Sequence, residues 1–187
     1  MTHLHRYRSM LCNVLPNGLL PLAVLLTLSG CDVASRDTTN DGFSMSSLAG
    51  YNFSTEGIHE FHVDGVWGSG VGIGQGGGSV CCVRIPSKSH EGFQVSVEWR
   101  RSDCRKGVDE NGWSNCRNDP GNPTKIMKKA VTIEPYSEPG TTQVMFLPND
   151  EIKIYIRDDA PWGGEHPSHL GAPRPLTADE AKSLLER

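Results

Sequence analysis

Beyond its first thirty residues, this chain has no stretch approaching the eighteen or more apolar residues of a membrane-spanning helix. It has no basic stripe either, which argues against nucleic acid or anionic headgroups as partners. The paired Cys-x-x-Cys knuckles of a zinc site are missing. So is the Gly-x-Ser-x-Gly elbow of a hydrolase, and no Gly-Lys-Ser/Thr follows the glycine-rich stretch. These absences leave no catalytic set, so a binding protein without cofactor or metal is expected rather than an enzyme.

What is present begins with an export signal. Arg6 and Arg8 lead, with no acidic residue to offset them, and an apolar run from Leu19 to Leu28 follows. At about ten residues the run is half the length of a permanent span. It meets Leu28-Ser29-Gly30-Cys31, which resembles the bacterial lipobox at every position. The expectation is cleavage before Cys31 and lipidation of its thiol, tethering the chain to a membrane and facing the periplasm. Asp32 resembles the residue that retains lipoproteins at the inner membrane of enteric-type bacteria; the outer membrane stays open. Removing residues 1–30 leaves 157 residues carrying 16 basic and 22 acidic side chains, a net charge of −6. That length suffices for one domain with a real core.

Residues 31–47 are polar and without period, and read as a lipidated flexible stalk. A β domain is expected over 48–160. Gly50–Phe53, Ile58–Val63, Val80–Ile85, Phe93–Arg100, Ala130–Ile133, Val144–Leu147 and Glu151–Arg157 read as strands. Val95, Val97 and Trp99 alternate with polar neighbours, so that strand has one wet face. About seven short strands without intervening helices imply an all-β fold, an antiparallel sandwich or open barrel. Residues 161–187 read as an irregular, exposed extension rich in proline and glycine. It ends in a short helix, with Thr177 and Glu180 forming a capping box and Ala181, Leu184 and Leu185 on one face.

Four cysteines remain once Cys12 and Cys31 are set aside: Cys81, Cys82, Cys104 and Cys116. In an exported chain they read as disulfides, with three connectivities open. Adjacent strand residues point to opposite faces, so Cys81 and Cys82 are each expected to pair with a separate cysteine. The tract from Gly68 to Gly78 runs into a strand rather than a helix, and reads as a mobile hairpin loop able to drape over a partner. His59 and His62 are three apart on a strand and cannot chelate together. Glu165, His166 and His169 offer a weak metal constellation against solvated loop residues. Trp67, Trp113 and Trp162 lie in loops, where aromatics either anchor recognition or cap a small core, whereas Trp99 faces inward.

The lipobox, Gly50-Tyr51-Asn52-Phe53, the stretch Ile58 to Gly65, the glycine tract leading to Gly78-Ser79-Val80-Cys81-Cys82-Val83, and the Phe146 to Ile156 hairpin resemble a family of small bacterial lipoproteins of unknown function. Members are often encoded beside phospholipase effectors of the type VI secretion system. The resemblance implies an immunity protein that binds and neutralises such an effector. Its expected contact residues are Trp67, Gly76, Gly77, Gly78 and Trp162. The alternative is an envelope lipoprotein with a structural or binding role and no toxin partner.

Overall fold

The computed structural model describes residues 42–187 apart from Arg105, Gly112, Pro120 and Asn122. The export signal, Cys31 and Asp32 lie outside the described residues. Eight strands form two four-stranded sheets, followed by one short helix. The strands are β1 (Phe43–Asn52), β2 (Ile58–Val63), β3 (Val66–Trp67), β4 (Gly76–Pro86), β5 (Gln94–Ser102), β6 (Thr124–Thr132), β7 (Thr141–Leu147) and β8 (Glu151–Arg157). The helix, α1, spans Ala178–Leu185. One sheet runs β4-β1-β7-β8 and the other β3-β2-β5-β6. This is the expected all-β sandwich with a short C-terminal helix.

Alternation along each strand sends one set of side chains between the sheets. Leu48, Phe61, Val63, Val97, Trp99, Val144, Phe146, Ile152 and Ile154 meet there. The second sheet keeps its outer face wet, which is why β5 reads with a clean period of two. The first sheet is covered on both sides. Ala49, Tyr51, Phe53, Met145, Leu147 and Tyr155 point away from the inter-sheet core and pack under Leu176 and Leu184 of the C-terminal segment. A sheet buried on both faces reads as a continuous apolar run, as Val144–Leu147 does. Burying Leu176 and Leu184 stabilises the docked segment by about 1.5–3 kcal/mol each.

Several boundaries differ from expectation. β1 starts at Phe43, inside the segment read as stalk, because Phe43 to Ser46 pair in register with Val83 to Pro86. β6 begins at Thr124, six residues early. Its Lys-rich start lies at a sheet edge, where Lys129 reaches across to Glu151 of the other sheet. β1 and β7 pair in parallel, whereas the other ladders are antiparallel. A parallel neighbour needs a long crossover, and here the chain builds the second sheet in between.

The two sides of the sandwich are unlike. On the β6–β8 side the sheets are joined, with Ile133 bridging Ile154 and the Glu134 amide donating to the Ile154 carbonyl at 2.9 Å. Arg101 adds a bidentate pair to Asp150 at 2.5 and 3.0 Å. On the other side β4 is an edge strand. Its register against β1 slips twice, one residue in excess on β4 each time, around Cys81-Cys82 and around Gly77-Gly78. Such bulges blunt an edge against unwanted strand pairing.

The extension after Ala160 is irregular, as expected, but docked rather than exposed. Leu176 donates its amide to the Phe53 carbonyl at 2.8 Å, and the Thr177–Glu180 capping box forms in both directions. Its deepest anchor is His166, fully buried with its ring 5.0 Å from that of Tyr155. The Ser168 amide donates to His166 Nδ1 at 3.2 Å, so the ring's hydrogen sits on Nε2 and is given to Gln143 Oε1 at 3.1 Å. Gln143 completes the chain by donating to the carbonyls of Arg157 and Asp159. Nδ1 also lies 2.7 Å from Ser168 Oγ, so a proton added there would meet that hydroxyl as well as the Ser168 amide. Burial holds the His166 pKa below its ordinary value, opposed in part by Asp159.

The unfolded chain therefore takes up this proton first. The anchor's stabilisation is complete above about pH 6.5 and declines as the pH falls below it. Amide exchange across residues 160–187 is expected to accelerate between pH 7.5 and pH 5, while β5 stays protected. His166→Gln should remove that pH dependence, and a segment exchanging equally at both pH values in the parent would contradict this account.

Candidate functional site

The glycine tract is an ordered ribbon laid along the sandwich, not the loose hairpin loop expected. It leaves β3 at Gly68, whose amide donates to the Phe61 carbonyl at 2.8 Å. A β-carbon at Gly68 would lie 2.2 Å from the Phe61 ring, so only glycine fits this approach. Val71 then exchanges two backbone bonds with Ile58, at 2.7 and 2.9 Å. Further on, Gln75 accepts from the Asn52 amide at 2.8 Å, and Gly76 enters β4 opposite Tyr51. Trp113 closes over Gly74 from the loop between β5 and β6. Gly68 and Val71 are buried, and the ribbon's bonds to Phe61 and Ile58 of β2 and to Asn52 of β1 hold it against the sheets.

Beyond Gly76 the ribbon becomes a surface. Gly77 takes a left-handed conformation (φ +100°) at the bulge, a geometry that other residues resist. Trp162 reaches down from the docked extension to within 3.7 Å of the β-carbon position at Gly77. Its ring meets Tyr51 edge-on, with centroids 6.1 Å apart. Tyr51 is buried and Trp162 is 53% exposed, so a rigid aromatic stands proud of a small, side-chain-poor strand. Gly78 beside it faces open space. The structure thus brings together four of the five expected contact residues: Gly76, Gly77, Gly78 and Trp162. Tyr51, which seats the indole, was missed; its place on an apolar strand looked like core.

Trp67 is equally exposed but belongs elsewhere. It pairs in register with His62 on β2, on the outer face of the second sheet, with Glu98 and Lys128 continuing the row. The Trp162 cluster lies on the outer face of the first sheet. A single small contact patch does not include both.

The disulfides also depart from expectation. Cys104 pairs with Cys116, their Cα atoms 5.6 Å apart, and closes the loop between β5 and β6. Cys81 pairs with Cys82, its immediate neighbour, in the β4 bulge. Cys81 and Cys82 lie on the edge strand β4 of the first sheet, whereas Cys104 and Cys116 lie in the loop that links β5 to β6. The bulge breaks the strand alternation on which the expectation of separate partners rested.

The histidine clusters do not converge. His62 lies in the outer row with Trp67, whereas His59 Nε2 is 3.1 Å from Ser102 Oγ. His166 is buried with both ring nitrogens hydrogen-bonded. Among the described residues no group of three His, Cys, Asp or Glu side chains is placed to hold a metal. Asp109 accepts from Asn111, Trp113 and Arg117 within its loop, and Arg157 holds the Asp159 pKa below its ordinary value.

Two glycines of the ribbon make opposite predictions. Gly68→Ala drives a methyl into the Phe61 ring and is expected to cost on the order of 1–3 kcal/mol. Gly78→Ala meets open space and should shift stability by less than about 0.5 kcal/mol. Thermal denaturation of the two variants checks this, and equal melting temperatures would refute the ribbon's packing.

No curated protein and no solved structure matches the chain. One family model does, over residues 51–154, which is more than half of the 187 residues and takes in β2 to β7 whole, the last two residues of β1 and the first four of β8. By this match the chain belongs to the DUF3304 family, proteins of unknown function.

Proposed function

We propose that the protein is a lipid-anchored periplasmic binding protein that neutralises a secreted phospholipase, as an immunity protein does. The observation that carries a binding role is the exposed Trp162, held edge-on by Tyr51 beside Gly77. Aromatic side chains pre-positioned over small neighbours are the usual anchors of protein interfaces. The ordered ribbon lowers the conformational cost of association. A net charge of −6 after signal removal complements a basic partner surface. The tether at Cys31 would concentrate the inhibitor at the membrane where a phospholipase must work. The choice of a phospholipase rests on the sequence resemblance to lipoproteins encoded beside such effectors.

The test uses the full chain in mild detergent, offered to periplasmic and secreted proteins of its own organism. Capture of a lipase whose activity is lost in the complex is the expected result. Trp162→Ala should weaken that complex by about 2 kcal/mol or more, roughly thirtyfold, and Trp67→Ala should leave it unchanged. Retention of cell-wall material or envelope proteins with no lipase would replace this reading by that of a structural envelope lipoprotein.

A further inference from the structure

A second concavity lies on the other flank of the ribbon. It is a cleft of about 410 Å³ between residues 71–75 and the β5–β6 loop, with Trp113 inside the Cys104–Cys116 bridge and Asn118 just past it. Its size falls within the range of small-molecule sites, about 300–1,000 Å³. We propose that this cleft binds a neutral oligosaccharide.

The argument starts from the chemistry of its walls. Ile58, Val71 and Ile73 give an apolar floor, and Trp113 supplies an aromatic wall. Around them stand groups that can both donate and accept hydrogen bonds. The side-chain amides of Gln75 and Asn118 are not engaged by any described residue. His59 is fixed through Nε2 to Ser102 Oγ, itself buried, which leaves Nδ1 for a ligand. Amides and imidazole in both roles suit hydroxyl groups, which likewise donate and accept. No carboxylate lines the cleft among the described residues, and Arg117 is neutralised by Asp109 at 3.3 Å. The walls thus favour an uncharged ligand with one apolar face and several hydroxyls. A pyranose ring has that character, with its C–H face suited to an indole.

Other occupants fit less well. An extended peptide would need unpaired backbone groups, yet the ribbon has spent these on Ile58 and Asn52. An acyl chain would strand the amides of Gln75 and Asn118 without partners. The cleft is also held in shape without a ligand. The Cys104–Cys116 bridge, the Asp109 hydrogen bonds to the Trp113 amide and Arg117, and the contact of Trp113 with Gly74 fix the outer wall. Little ordering remains to be done on binding.

The test is calorimetric titration of the full chain in detergent with two neutral probes. One is the β-1,4-linked tetramer of N-acetylglucosamine, the other the α-1,4-linked tetramer of glucose. Saturable binding of one probe, with a change in tryptophan emission, is expected. Trp113→Ala and Asn118→Ala should each weaken it at least tenfold, and Trp162→Ala should not. Asn118 is on the surface and makes no internal bond, so its variant keeps the test valid should Trp113→Ala fail to fold. Preference for the amino sugar would identify a cell-wall type of glycan, and preference for the glucose polymer a glucan. Absence of binding by both probes at millimolar concentration overturns the proposal, as does binding that survives both substitutions. Lipase neutralisation by Asn118→Ala, measured alongside, keeps this outcome separate from that of the Trp162 surface.

Discussion

The ring of Phe61 lies between the sheets, fully buried, 5.2 Å from the ring of Phe146 and pressed against the main chain at two places. A β-carbon at Gly50 in β1 would come within 2.8 Å of it, and one at Gly68 within 2.2 Å. Both positions must be glycine for this ring to occupy the middle of the core. The consequence is topological as well as steric. Because Gly68 is drawn onto Phe61, the chain leaving β3 cannot swing free and is led along β2, bonded at Val71, and delivered beside β1 as β4. The ribbon, the bulged edge strand and the surface at Gly77 all follow from where that ring sits.

A second dependence joins the C-terminal segment to the first sheet. Without Leu176, Leu184 and His166 in place, the outer face of β1, β7 and β8 would present Tyr51, Phe53, Met145 and Leu147 to water. Covering them places Trp162 over Gly77, so the candidate interface is built jointly by a rigid sheet and a docked segment. The segment is held by a few apolar contacts and one neutral histidine network. Such elements open at lower free energy than a sandwich core, so integrity of the interface tracks integrity of the His166 anchor.

The strands were legible where one face is wet and the other dry. β5 and β8 follow from Val95, Val97 and Trp99 and from Ile152, Ile154 and Ile156, because alternation reports burial on one side directly. The capping box at Thr177 was legible for the same reason: a local hydrogen-bond exchange needs only residues three apart. The start of β6 was not, since Lys125, Lys128 and Lys129 make an edge strand look like a loop. The burial of His166 was hidden too. Its partners Gln143 and Tyr155 lie on β7 and β8, and no local pattern marks a histidine that satisfies itself against another element.

The sequence by itself determined the class of fold, the C-terminal helix and its cap. All of these depend on residue type and short-range periodicity. Only the tertiary structure decided which cysteines pair, that β1 and β7 run parallel, that the glycine tract is ordered, and that Trp162 joins it while Trp67 does not. Each of those turns on which distant segments share a face of the sandwich. That is set by the packing of Phe61 and of the C-terminal segment against opposite sides of the first sheet, contacts between residues far apart in the chain.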